Sequence, residues 1–180
     1  MSTLLAACVV NSLRPDRGNG TTAIDKREVV GPVRVRRLGL FGDVQVDRKH
    51  HGGADKALYA YSQADADFWA AELGRDLPYG WFGENLRLDG LDVNAARVGT
   101  RWRIGNSVVV EVTMPRTPCG TFARWVGGAD ARGWVKRFSE EGRLGAYLRV
   151  VTTGLIQAGD SIEVLSVPED APTMLDLFHA

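Results

Sequence analysis

The sequence predicts a mostly β (α+β) domain, a closed barrel or sandwich with a few peripheral helices, on three observations. Gly is frequent, at 21 of 180 residues, and Gly-Asp, Gly-Asn and Gly-Gly pairs punctuate short apolar runs. Those runs are too short for helices and number nine. Only two stretches carry an apolar helical period. The expected strands cover residues 4–11, 33–35, 44–46, 58–62, 85–88, 98–103, 108–114, 147–151 and 161–165, with Gly105-Asn106 as a tight hairpin turn. Closure into a barrel removes exposed edges from so many short strands. Ser62 is the expected cap of the first helix, with Asp65 as capping-box partner, Phe68, Trp69 and Leu73 as its buried face, and Gly74 as its stop. A second helix over 131–140 sets Trp134 and Phe138 four apart on one side, as core residues.

Residues 1–167 read as one domain and 168–180 as a short tail. Pro168 and Pro172 lead into an amphipathic stub with Met174, Leu175 and Phe178, which either docks on the barrel or contacts another subunit. At 44% apolar and 24% charged residues, composition excludes disordered, collagen-like and polytopic membrane classes. The 22 basic and 22 acidic side chains cancel, so no global field draws the chain to nucleic acid or an anionic membrane. A stripe of interleaved basic and aromatic residues is also lacking. Two cysteines make no disulfide scaffold, and a reducing cytoplasm is the expected setting. Leu5-Ala6-Ala7-Cys8 looks like the end of a lipoprotein signal, but too few residues precede it and none is basic, so it reads as buried strand. No apolar stretch approaches the ~18 residues of a membrane span.

Three clusters carry possible chemistry. Pro115-Arg116-Thr117-Pro118-Cys119-Gly120 follows the strongest strand. Its two prolines stiffen the chain and forbid helix and ladder alike. A cysteine there, three residues after an arginine and before a potential helix at Gly120, is well placed to be a thiolate. The alternative is a small buried residue at a strand exit, which is the better reading for Cys8. The second cluster runs from Gly42 to Lys56 and includes Asp43, Gln45, Asp47, His50, His51, Gly52 and Gly53. Alternation sets Gln45 and Asp47 on one face and Val44 and Val46 on the other. Arg34, Arg36, Arg37, Arg48, Lys49 and Lys56 give this region a basic excess suited to a phosphate-bearing ligand, or merely a solvated face. A structural zinc site fails on ligand count, with no H-E-x-x-H and no C-x-x-C. The third cluster, Gly83-Glu84-Asn85-Leu86, offers an acceptor and an amide to a heterocycle edge, or is a plain turn.

In order, these clusters resemble the MOSC domain family, named for the C-terminal part of molybdenum-cofactor sulfurases, and in particular its small bacterial stand-alone members of the YiiM type. The pattern reads Gly42-Asp43-x-Gln45-x-Asp47, then His51-Gly52-Gly53-x-Asp55-Lys56-Ala57-Leu58-x-x-Tyr61. It continues through Gly83-Glu84-Asn85-Leu86, Gly90-Leu91, Pro115-Arg116-x-Pro118-Cys119, the run from Gly145 to Val150, and Gly159-Asp160. The resemblance covers about residues 4–165. It implies a β-barrel core and a molybdenum cofactor of the molybdopterin form, which can be absent from isolated protein. Cys119 is implied as the molybdenum ligand or, in sulfurase-type members, as a persulfide carrier. His51, Gly52, Gly53, Lys56, Glu84, Asn85, Arg116 and Cys119 are implied to line the site. Pyridoxal phosphate belongs only to the sulfurases themselves.

The implied chemistry is reduction of N-hydroxylated small molecules, such as hydroxylaminopurines, amidoximes and hydroxamates. With no cysteine set for an iron–sulfur cluster and no dinucleotide fingerprint, electrons must come from a separate flavin or iron–sulfur protein. Monomer and homodimer both stay open. Alternatives are sulfur carriage on Cys119, a non-catalytic cofactor carrier, and a Cys119–His51 hydrolase, which lacks a group to orient the histidine. Three departures stand out. Thr113-Met114 replaces a frequent Ser-Gln, Gly105-Asn106 replaces Gly-Asp, and residues 173–178 resemble only the beginning of a C-terminal helical extension.

Overall fold

β1 (Ser2–Val10) joins both ends of the main sheet. Its first residues pair with β13 (Ser161–Ser166), with Ser2 opposite Ile162, while Thr3–Ala7 pair with β8 (Leu86–Asp89). That double pairing closes a seven-stranded barrel, which a computed structural model describes for residues 1–18, 20–46, 52–127 and 131–180. The remaining strands follow in the order β9 (Arg101–Ile104), β10 (Val108–Pro115), β11 (Ala146–Thr152) and β7 (Leu58–Ser62), between β13 and β8. Only β7 and β8 run parallel. A parallel pair needs a crossover, and α1 (Gln63–Leu73) supplies part of it. The far end of β1 adds β4 (Lys26–Glu28). Small ribbons β2 (Arg14–Asp16) with β3 (Gly20–Thr22), and β5 (Val33–Arg36) with β6 (Gly39–Leu40) and β12 (Gly154–Ile156), flank the barrel.

Alternation along two strands builds two cores. Leu58 and Ala60 of β7, with Ala146, Leu148 and Val150 of β11, fill the barrel. Tyr59, Tyr61 and Tyr147 point the other way, into an aromatic layer with Trp69, Phe82, Phe122 and Phe138. This layer lies under α1, α2 (Gly120–Gly127) and α3 (Trp134–Glu141), so all of β7 is buried. Ser62 caps α1 by accepting the Asp65 amide, and Gly74 ends it in the left-handed region, as expected. Asp65 does not complete a capping box; its carboxylate turns to Asn94 (2.7 Å) and Arg143 (2.7 Å). α4 (Met174–His179) has a full Thr173–Asp176 capping box, buries Met174 and packs against β10.

Three expectations need correction. Residues 44–46 are not a strand: Val44 and Val46 are exposed, and Gln45 spends its amide on neighbouring loops. Residues 98–100 form a loop leading into β9, because the Val98 amide bonds to Pro172. The helix expected over 131–140 is α3, which begins only at Trp134, after Gly133 in the left-handed region. β2, β3, β4, β6 and β12 were not anticipated; each has only two or three residues, several of them Arg, Pro, Gly or Asp.

On β8, Leu86 and Leu88 enter the barrel while Arg87 enters the aromatic layer, fully buried. Its guanidinium lies 5.5 Å from the ring centres of Phe82 and Tyr79. Glu84, equally buried, receives it (Nε–Oε1 2.9 Å) along with the amides of Gly80 (2.8 Å) and Phe82 (3.0 Å). Arg87→Leu strands this carboxylate in the core and is expected to cost about 3–5 kcal/mol in urea unfolding. The double variant Arg87→Leu/Glu84→Gln should recover part of that loss.

Candidate functional site

The pocket lies on the outer face of the barrel, where the aromatic layer meets the β2–β3 ribbon. Its wall includes Thr22, Lys26, Asp43, Gln45, Lys56, Tyr59, Gly83, Asn85, Arg116, Cys119, Thr121 and Tyr147. Chain stiffness at the end of β10 places Arg116 and Cys119. β10 ends at Pro115, the Arg116 amide bonds the Gly145 carbonyl (3.3 Å), and Pro118 then turns the chain into α2. Cys119 stands immediately before the first residue of α2, with its carbonyl accepting the Ala123 amide (3.0 Å). Its side chain is half-buried.

Arg116 is 5% exposed and stacks over Phe122, 4.3 Å from the ring centre, with Tyr59 at 5.7 Å. Its Nη1 has no hydrogen-bond partner among the described residues. A buried, always-charged guanidinium with an unpaired donor is costly unless an anion meets it. Lys56 also lines the pocket, its ammonium 5.7 Å from the Tyr147 ring centre. The Tyr59 hydroxyl donates to the Leu144 carbonyl (2.8 Å), and burial pushes its phenol well above the ordinary range. It therefore stays neutral and presents a ring, not a proton donor.

The floor is polar and satisfied. Asp43 accepts from the Val10 amide (2.9 Å), the Asn85 amide group (2.7 Å) and Lys26. Asn85 also donates to the Cys8 carbonyl (3.1 Å) and accepts from the Tyr59 amide (3.1 Å). Beside Cys119, Asp16 takes both Nε and Nη2 of Arg124 (2.8 Å each) and the Thr121 hydroxyl (3.0 Å). The β2–β3 ribbon is thereby clamped to the first turn of α2, and Asp16 holds the Arg124 pKa above its usual value, chiefly through that hydrogen bond.

Of the residues singled out in the sequence, Lys56, Asn85, Arg116 and Cys119 converge on this pocket. Gly52 and Gly53 do not line it; Gly53, at φ 95°, donates its amide to Gln45 (2.9 Å) and shapes the rim. Glu84 turns away to Arg87. His51 lies outside the described residues, as do Asp47, Arg48, Lys49 and His50. Arg34, Arg36 and Arg37 are exposed and line no part of the pocket. Sequence reading missed Lys26, in a polar stretch where no periodicity marks a face, and Thr121, a lone hydroxyl in the first turn of α2 beside buried Phe122 and Ala123.

The family model for the MOSC domain matches residues 47–163. The chain belongs to the MOSC domain family. It is 35% identical over 145 residues to the uncharacterized protein YflK of Bacillus subtilis, a match covering 81% of this chain and 64% of YflK. It is also 31% identical over 157 residues to a reductase of Gibberella moniliformis, covering 84% of this chain and 27% of that protein. The crystal structure of YiiM from Geobacillus stearothermophilus superposes with a TM-score of 0.79 at 26% identity, over 99% of this chain and 83% of that one. This MOSC domain thus spans less than two thirds of the length of the curated relatives YflK and the reductase. No helix among the described residues is long and apolar enough to cross a membrane.

The two thiols of this MOSC domain differ in environment. Cys8 is fully buried in β1, and desolvation pushes its pKa far above the ordinary value. Iodoacetamide on the folded protein is expected to modify Cys119 alone, as read by peptide mass spectrometry, with Cys8 labelled only after denaturation. Labelling of native Cys8 at a comparable rate contradicts this assignment.

Proposed function

We propose that the pocket binds a molybdenum cofactor of the molybdopterin form through Cys119 and reduces N-hydroxylated small molecules with electrons from a separate protein. The observation that carries this reading is the buried Arg116 guanidinium, whose Nη1 is unpaired at the wall that also presents the Cys119 thiol. The donor set fits such a group. A thiolate is a soft ligand suited to a transition metal, and arginine matches a phosphate oxygen. Cys119 stands directly before the first turn of α2, half-buried at the pocket wall.

When bound, the group supplies two-electron chemistry at the N–O bond. The net reaction is R–NHOH + 2e⁻ + 2H⁺ → R–NH₂ + H₂O. The chain's own residues bind, orient and exclude water. Arg116 and Lys56, both in the pocket wall, hold negative charge. Tyr59, Phe82 and Tyr147 supply an apolar lining that strengthens those attractions. Asp43 and Asn85, held by protein partners, keep the floor rigid. Membership in the MOSC family and the similarity to a protein named as a reductase support the reading.

Wild type purified anaerobically from a cofactor-producing host is expected to carry near-stoichiometric molybdenum, and Cys119→Ala essentially none. Arg116→Met, which removes a charge-assisted contact of about 1.5–3 kcal/mol, should weaken retention by at least about tenfold. The wild type should also reduce a hydroxylaminopurine with reduced viologen as donor. Absence of molybdenum from every preparation, together with a persulfide on Cys119, would favour sulfur carriage instead.

A further inference from the structure

We propose that the β5–β6 hairpin and the segment after it form the docking face for an acidic redox protein, the electron donor of the reaction above. This inference rests on that reading of the pocket. Three arginines, Arg34, Arg36 and Arg37, are exposed on the hairpin, and none makes an ion pair or a side-chain hydrogen bond among the described residues. Other arginines carry partners, Arg101 with Glu111, Arg137 with Glu72 and Arg149 with Asp55, and exposed ones that form no ion pair among the described residues, such as Arg17, Arg27 and Arg132, stand singly along the chain, whereas the hairpin sets three together. The hairpin cations are therefore a local excess on a chain of zero net charge.

Large apolar side chains stand among them. Leu38 is 61% exposed and Phe41 58%, and the Arg36 guanidinium lies 4.5 Å from the Phe41 ring centre. Arginine and aromatic residues side by side are the composition of interface centres. The apolar part excludes a purely solvated role, and the unpaired charge calls for an acidic partner.

The face is continuous with the pocket. Val44 is exposed on the outside yet belongs to the pocket wall. The Gln45 amide group ties the two together, donating to the carbonyls of Leu38 (3.2 Å) and Lys56 (3.0 Å). A protein seated on the hairpin therefore sits at the pocket mouth, where a flavin or iron–sulfur group can pass the two electrons that each N–O cleavage consumes. An anionic lipid surface matches the charge as well but supplies no electrons, and the chain's net neutrality gives it no long-range attraction.

The test uses reduced and oxidised flavodoxin as acidic protein probe, reduced methyl viologen as small cationic donor, and the triple variant Arg34→Glu/Arg36→Glu/Arg37→Glu with unchanged circular dichroism. Oxidised flavodoxin should bind the wild type in calorimetry, more weakly as salt rises, and its Kd should increase at least about tenfold in the triple variant. Flavodoxin-supported reduction of a hydroxylaminopurine should fall in parallel, while the viologen-supported rate stays within about twofold. Flavodoxin binding that is absent, or indifferent to the three reversals, overturns the docking face. So does binding to phosphatidylserine vesicles that the reversals abolish without changing flavodoxin affinity, which assigns the face to membrane. Absence of any viologen-supported rate in wild type overturns the enzymatic reading, whereas binding tests the face separately.

Discussion

The Asp43 carboxylate is the constraint on which the pocket depends. It gathers the backbone of β1 at Val10, the ammonium of Lys26 on β4 and the side-chain amide of Asn85. Asn85 extends the hold to the Cys8 carbonyl and the Tyr59 amide. One side chain thus fixes the relative positions of two strands, the loop ahead of β8 and the edge of β7. Asp43 and Lys26 are both nearly inaccessible to water, so each ion is tolerable only because the other is present. The floor is spent on structure, whereas Arg116, in the wall it shares with Lys56 and Cys119, keeps Nη1 unpaired among the described residues.

Placement outside the barrel follows from a second constraint, the burial on both faces of β7 and of the first three residues of β11. Inward residues close the barrel interior, so a ligand site cannot open there. Outward tyrosines cover a layer that the helices complete only in part, and the uncovered margin is the pocket. Glu84 and Asn85 show how fine this partition is. They are neighbours in sequence, yet one is sealed into the aromatic layer by Arg87 and the other forms pocket floor. Charge follows the same local logic. A chain with no net charge concentrates an unpaired guanidinium where stacking on Phe122 replaces hydration.

The barrel was legible because its strands carry short, predominantly apolar runs, as at 58–62 and 108–114, and because Ser62 and Gly74 mark the ends of α1. Cys119 and Arg116 were legible for a related reason: Pro115 closes the strand, still paired with Ala146, and Pro118 lets none resume before α2. The three-residue strands were not, since pairing and not propensity makes them extended. Residues 43–46 misled in an instructive way. Their alternation is real, but the polar face turns inward and the valines outward, the reverse of the hydrophobic rule. Polar groups go inside there because Val10, Lys26, Gly53 and Asn85 wait with complementary donors. The orientation of Glu84 was equally hidden, because its partner Arg87 belongs to the strand that follows.

The central claim is that Cys119 and the Arg116 wall form one site, in which the protein contributes a sulfur donor to molybdenum. X-ray absorption at the molybdenum edge tests it most directly, comparing loaded wild type with loaded Cys119→Ser under identical reducing conditions. The account predicts one sulfur donor fewer around the metal in the serine variant, with an oxygen in its place. An identical sulfur shell in both proteins would contradict it, and Cys119 would then have to be assigned a role away from the metal.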